Sequence, residues 1–273
     1  MKMLWQFWNH SESMLLNFRQ YSHEGESLLI LHGLFGSLGN WGAHSKFLAA
    51  HYSVIGVDLR NHGGSFHDSE LNYPAMAEDV LELMNHCNIP SANFIGHSMG
   101  GKVAMELALS QGDKVNKLVV VDIAPVAYVE EADGHFEIIE GMKALNFDET
   151  KSRLDAEKFL ENYISDEPTR KFVLTNLVRN DQGKYSWRLN LESIENNYHR
   201  LREKPTASTP FSKPTLFVKG SQSNYIQERQ EEEILEMFSN AQLEIIMQAG
   251  HWLHVDKPQT FQKVVLDFLH NRP

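Results

Sequence analysis

Residues 96–100 read GHSMG, a serine held between glycines after the apolar stretch NFIG and before the helix-forming stretch KVAMELAL. A serine hydroxyl is a weak nucleophile. It becomes a useful one when a tight corner lifts it off the backbone and a base stands beside it. The G-x-S-x-G spacing supplies such a corner, because a side chain at position 96 or 100 would strike the adjoining strand or helix. Gly101 gives the helix further room to pack. On this reading Ser98 is the nucleophile of an acyl transfer. The Met99 backbone N–H, near a helix expected to begin around Lys102, is one donor to the developing oxyanion. A glycine-rich turn with an incidental serine is the competing reading. The strand before and the helix after weigh for the catalytic one.

A second oxyanion donor is expected from a loop after an early buried strand. LLILHGLFGS provides it, with Gly33 letting the backbone approach and Leu34 offering its N–H. His32 reads as a brace for that loop. The base is expected late in the chain. LEIIMQAGHWLHVDKP offers His251, the first histidine off the last strand, with His254 as the alternative. Histidines three apart also raise a metal site, but the loop has no partnering cysteine or carboxylate cluster, so no metal is expected. Arg60 and His62, in DLRNHGGS, read as structural braces near the site.

These residues need a scaffold that brings distant segments to one rim. Strand-like runs fall at 15–22, 27–31, 52–58, 93–96, 117–123, 215–219 and 243–247, with helical patterns at 75–87, 102–111, 226–238 and 258–269. LLILHG, VIGVDL and KLVVVDI are apolar without alternation, the pattern of strands covered on both faces of a parallel sheet. Strands alternating with helices predict an α/β, doubly wound architecture. The alternation stops between 126 and 205, a charged and mostly helical stretch too long for one crossover. It is expected to be an inserted helical cap on a core made of 14–125 and 206–273, with 1–13 an N-terminal extension.

Composition is that of an ordinary globular chain: of 273 residues, 42% are hydrophobic and 22% charged. A net charge of −11 argues against nucleic acid or an anionic membrane as partner. Cys87 is the sole cysteine, so no intrachain disulfide forms, and it reads as a small buried hydrophobe in a helix. The early polar residues Gln6, Asn9 and His10 break the apolar start before a signal segment could form, and no apolar run approaches a membrane span. A cytoplasmic location is expected, with self-association left open.

Taken in order, HGLFGS, DLRNHGGS, GHSMGG and GHWLH resemble the α/β-hydrolase superfamily, over nearly all of the chain from Met14. That superfamily usually places its acid in the loop after PTLFVKG. Here the loop reads SQSNYI, with Asn224 in the expected place. An asparagine cannot stabilise an imidazolium, and an Asp-to-Asn exchange in one serine protease costs about 10⁴ in turnover. Asp122, ending KLVVVD, lies on a strand expected between those of the nucleophile and PTLFVKG, so its carboxylate can reach His251. Its competing role is to cap the IAP turn. Ser223 is placed to hydrogen-bond Asp122 or His251.

The closer resemblance is to bacterial YbfF-type esterases, through HGLFGS, DLRNHG, VDIAPV, TNLVRND, WRLNL and AGHWLH. It implies a helical cap and hydrolysis of short acyl esters, with acyl-CoA thioesters also taken by some members; the mechanism expected of these residues needs no cofactor. It also implies Asp122 as the acid and Ser223 as a fourth member of the catalytic set. The expected partner is therefore a small-molecule acyl ester or thioester. A thioesterase or C–C bond hydrolase would use the same machinery. A small-molecule receptor on a hydrolase fold is the alternative from another class.

Overall fold

In the computed structural model, which describes residues 14–128, 134–180 and 182–270, the unalternating apolar runs form the middle of one sheet. The strands are β1 (Phe18–Gln20), β2 (Ser27–Leu31), β3 (Ser53–Val57), β4 (Ala92–His97), β5 (Val115–Val121), β6 (Leu177–Arg179), β7 (Tyr185–Trp187), β8 (Thr215–Gly220) and β9 (Ala241–Ile246). Seven of them form a sheet in the order β1-β3-β2-β4-β5-β8-β9, with β6 and β7 a separate hairpin. In the large sheet β1 runs antiparallel to β3 and the remaining pairs are parallel. The helices are α1 (Gly42–Leu48), α2 (Tyr73–His86), α3 (Met99–Ser110), α4 (His135–Ala144), α5 (Arg153–Leu160), α6 (Glu167–Leu174), α7 (Leu191–Leu201), α8 (Glu231–Met237), α9 (Leu253–Asp256) and α10 (Pro258–His270).

Both faces of the central strands are covered, as the sequence pattern requires. Leu29, Leu31, Phe94 and Val120 face one apolar cluster with residues of α2 and α3. Their chain neighbours Leu28, Ile30, Ile95, Val119 and Val121 face the opposite cluster with α1 and α10. Helix α2 starts where the Asn72 side chain accepts the Ala75 N–H and Pro74 occupies the first turn.

The edges depart from expectation. The run 15–22 yields only Phe18–Gln20, and 226–238 breaks into a 3₁₀ turn at Glu228–Gln230 before α8. The last strand lies at an open edge with Leu243 and Ile245 each half exposed, so its ends follow pairing with β8 rather than burial. Helix α1 and the hairpin β6–β7 escape prediction because short elements carry too few periods to read. Cys87 follows α2 and is only half buried.

Four helices and the hairpin occupy 126–205, between β5 and β8. Their apolar residues, among them Ile139, Met142, Val173 and Ile194, join the cluster that covers one face of the sheet. The two crossings into this insert are tied together. Tyr128 N–H donates to the Arg202 carbonyl at 2.8 Å, and Arg202 Nε donates to the Tyr128 carbonyl at 2.7 Å. Lys102 on α3 then fastens both, its Nζ donating to the carbonyls of Val126 and Glu203. Residues 1–13 lie outside the described residues. Among those described, no helix is long and apolar enough to cross a membrane.

Candidate active site

The serine corner forms where β4 turns into α3. Ser98 takes φ 51° and ψ −117°, a strained backbone for a residue with a Cβ. The glycines make that possible. A Cβ on Gly96 would lie 2.3 Å from the Gly100 carbonyl oxygen, and one on Gly100 would lie 2.5 Å from the carbonyl oxygens of Leu31 and His32. Helix α3 begins at Met99, three residues earlier than the sequence led us to expect. The strained serine completes the turn by itself, and its carbonyl accepts the first helical bond from Lys102 N–H at 3.1 Å.

The loop after β2 packs directly against the corner. A Cβ on Gly33 would sit 2.8 Å from His97 Nδ1 and 3.3 Å from Ser98 Cβ. Gly36 N–H closes a turn onto the Gly33 carbonyl at 3.0 Å, with Phe35 at φ 59°. Among the described residues, neither Leu34 N–H nor Met99 N–H donates to a protein acceptor. Both are therefore free to meet a ligand oxygen.

Asp122 follows β5 at φ 53° and is fully buried. Since β5 lies between β4 and β8, its side chain faces the loops of both neighbours. His251 Nδ1 lies 2.7 Å from Asp122 Oδ2, Ser223 Oγ donates to the same oxygen, and Gly220 N–H donates to Oδ1 at 3.0 Å. Three donors offset the cost of burying a carboxylate. An imidazole that donates from Nδ1 keeps the lone pair of Nε2 for a proton. Asn224 lies outside this network; its carbonyl accepts from Gln227, and it lines the cavity beside the site. Ser98 and His251 line that same cavity, of about 780 Å³. Among the described residues the Ser98 hydroxyl makes no hydrogen bond, and such contacts tighten when a substrate is bound.

The neighbouring histidines divide by role. His254 stands on α9 rather than in a loop; its buried ring stacks on Trp41 with centroids 4.4 Å apart. Burial and the nearby His44 and His251 hold its pKa well below the usual imidazole range. His32 accepts the Leu59 N–H at 3.0 Å through Nε2 and donates to its neighbour's carbonyl through Nδ1, bracing the ends of β2 and β3. Burial lowers its pKa as well. Arg60 forms a buried pair with Asp79, and His62 donates to the Arg60 carbonyl. Burial, then repulsion from His32, takes His62 down to about 3. Among the described residues there is no grouping of ligating side chains able to hold a metal ion.

Several contacts escape sequence reasoning. Tyr225 stacks on the His251 ring at 4.1 Å. His97 donates from Nε2 to the His251 carbonyl at 3.0 Å, although it sits inside the motif. Asn176, from the insert, donates to the Phe35 carbonyl at 2.7 Å and so holds the loop that carries Leu34. Gly220 had a readable signal: like Gly96 it falls within the last two residues of a buried strand, and a Cβ there would meet the Gly250 carbonyl oxygen at 2.3 Å.

The profile of the alpha/beta hydrolase fold matches residues 26–258, and the chain belongs to that family. It is an alpha/beta hydrolase of the esterase and lipase type, a carboxylic ester hydrolase. It is 34% identical to "Esterase YbfF" of Escherichia coli (strain K12), over 94% of this chain and all of that protein, which bears out the closer resemblance. It is 40% identical to "sn-1-specific diacylglycerol lipase ABHD11" of Mus musculus, over 89% of this chain and 80% of that one. Among solved structures, "Marine microorganism esterase" superposes with a TM-score of 0.91 at 40% identity, covering 93% of this chain and 99% of that one.

Proposed function

We propose that the protein is a serine esterase that hydrolyses short-chain acyl esters through an acyl-enzyme. The observation that carries this reading is the line from Asp122 to His251 at 2.7 Å, ending on the cavity that the strained Ser98 also lines. His251 Nε2 takes the hydroxyl proton as Ser98 Oγ bonds to the ester carbon. The carbonyl oxygen gains the electron pair and is held by Leu34 and Met99 N–H. Collapse of this intermediate breaks the bond to the alcohol oxygen, which receives its proton from the imidazolium. Water repeats the sequence on the acyl-enzyme, releasing the carboxylic acid and restoring Ser98. Asp122 steadies the imidazolium in both halves, and Ser223 fixes Asp122.

The charge around the site favours uncharged esters over acyl-CoA thioesters. Among the described residues, Arg229 and Glu233 are the lysine, arginine or carboxylate residues lining the larger cavity, and the chain as a whole carries −11. A CoA ester brings several phosphate charges to one guanidinium and a net repulsive field. The stretch 126–205 serves as the cap, over a core of 14–125 and 206–273. The test is a fluorophosphonate titration followed by p-nitrophenyl acetate hydrolysis. Labelling at Ser98, with activity lost in Ser98→Ala, is the expected result; full activity in the purified variant would refute it.

A further inference from the structure

Two spaces meet at Ser98. The larger is the cleft of about 780 Å³; the smaller is a chamber of about 40 Å³. Leu34 and Ser98 line both. His251 and Trp252 line only the cleft, while Met99 and Ile123 line only the chamber. The two spaces thus share the nucleophile and one oxyanion donor but differ in their access to the base.

That asymmetry assigns the two ends of a substrate. When the tetrahedral intermediate forms, its oxyanion faces the Leu34 and Met99 N–H groups. The alcohol oxygen must face His251, because it leaves with the imidazolium proton. The remaining substituent, the acyl chain, points away from His251. We infer that the chamber takes the acyl chain and the cleft takes the alcohol, making the substrates esters of very short acids with bulky, uncharged alcohols. This rests on the reading of Ser98 as nucleophile.

The size of the chamber sets the length of the acid. A water needs about 10–15 Å³ of such space, so the chamber holds about three water-sized groups. An acetyl to butyryl chain fits and an octanoyl chain does not. The far wall is Tyr73, Tyr198 and Leu201, all buried. It is also pinned: Tyr73 hydroxyl donates to the Leu201 carbonyl, and Tyr198 hydroxyl lies 2.8 Å from His135 Nδ1. Tyr128 stands between the two spaces, its hydroxyl donating to the Tyr225 carbonyl at 2.6 Å and accepting Ala124 N–H at 2.9 Å. A wall held at both ends cannot swing aside for a longer chain.

The experiment measures kcat/KM for p-nitrophenyl acetate, butyrate and octanoate, and for acetates of small and bulky alcohols, with fluorophosphonate titration giving the active fraction. The expected wild-type profile favours acetate and butyrate over octanoate by at least about tenfold. Leu201→Ala should raise the octanoate-to-acetate ratio about tenfold, and Leu201→Phe should lower the butyrate-to-acetate ratio. Neither should change the ratio between acetates of small and bulky alcohols. Leu201 variants that alter alcohol ratios instead of acyl ratios would overturn the assignment alone, and Ser98 labelling with a wild-type preference for octanoate would overturn it together with the short-chain preference while leaving the serine nucleophile standing. Absence of both labelling and ester turnover would bring down the serine esterase reading and this inference with it.

Discussion

A Cβ added at Gly96 or Gly220 would come within 2.3 Å of a backbone carbonyl oxygen, whereas one at Gly134 or Gly183 would meet nothing within 4 Å. The first pair lies at the rim of the sheet and the second in the insert. At the rim, main chain packs against main chain, and the residue type is dictated by space that nothing can yield. In the insert these two glycines face open space, and the packing against the sheet is carried by side chains such as Ile139, Met142, Val173 and Ile194, which can be exchanged or repacked. On the proposed mechanism, the rim fixes the reacting atoms and the insert shapes what reaches them. Substitutions that disturb the rim should lower turnover on every substrate alike, and those in the insert should act more gently or selectively.

The sharpest test removes the proposed nucleophile. Ser98→Ala should reduce kcat by about 10⁴-fold or more on every ester while leaving the thermal midpoint near that of the native protein. Next is the proposed acid: Asp122→Asn should cost about 10³–10⁴ in kcat, while Asn224→Ala should change it by about twofold or less. The reverse order, read from steady-state kinetics, would move the acid from β5 to the loop after β8. Smaller again is the tie from insert to rim. Asn176→Ala frees the Phe35 carbonyl and should lower kcat about tenfold on all esters, with KM nearly unchanged. A shift in KM alone would make Asn176 part of the substrate pocket instead.

The smallest effect concerns stability and pH. Burial, reinforced by Arg202 and opposed by Glu203, lowers the Lys102 pKa from 10.5 to about 7. Its ammonium faces the rings of Tyr73 and Tyr128 as well. Below pH 7 the folded and unfolded states both hold the proton, and the cost of a buried charge is borne in full. Between about 7 and 10.5 the unfolded chain binds the proton and the folded one does not, so this group favours folding increasingly as pH rises. The stability of the native protein relative to Lys102→Met should therefore grow from pH 7 to pH 10 in urea denaturation curves. A difference independent of pH would mean that Lys102 acts only through its hydrogen bonds to Val126 and Glu203.

What could be read from the sequence follows the same division. The serine corner was legible because Gly96 and Gly100 answer to local geometry, and the central strands because LLIL and KLVVV must be covered on both faces. Asp122 was legible by a longer route, from Asn224 and the expected order of strands. Asn176 was not, because its partner Phe35 stands 141 residues away and neither residue type announces the bond. The chamber wall was hidden for the same reason: Tyr73, Ile123, Tyr198 and Leu201 look like ordinary core residues until the chain folds. The hairpin β6–β7 was missed because three residues per strand do not establish a period.

With the proposed acid just after β5, the turn that follows β8 is relieved of the one residue it could never alter. Gln222 and Asn224 border the cleft, and among the described residues neither side chain bonds Asp122 or His251. Only Ser223 remains bound to it, through Asp122. On the proposed assignment of the cleft to the alcohol, such a turn can drift in bulk and polarity, retuning which alcohols are admitted while the carboxylate behind the imidazole stays untouched.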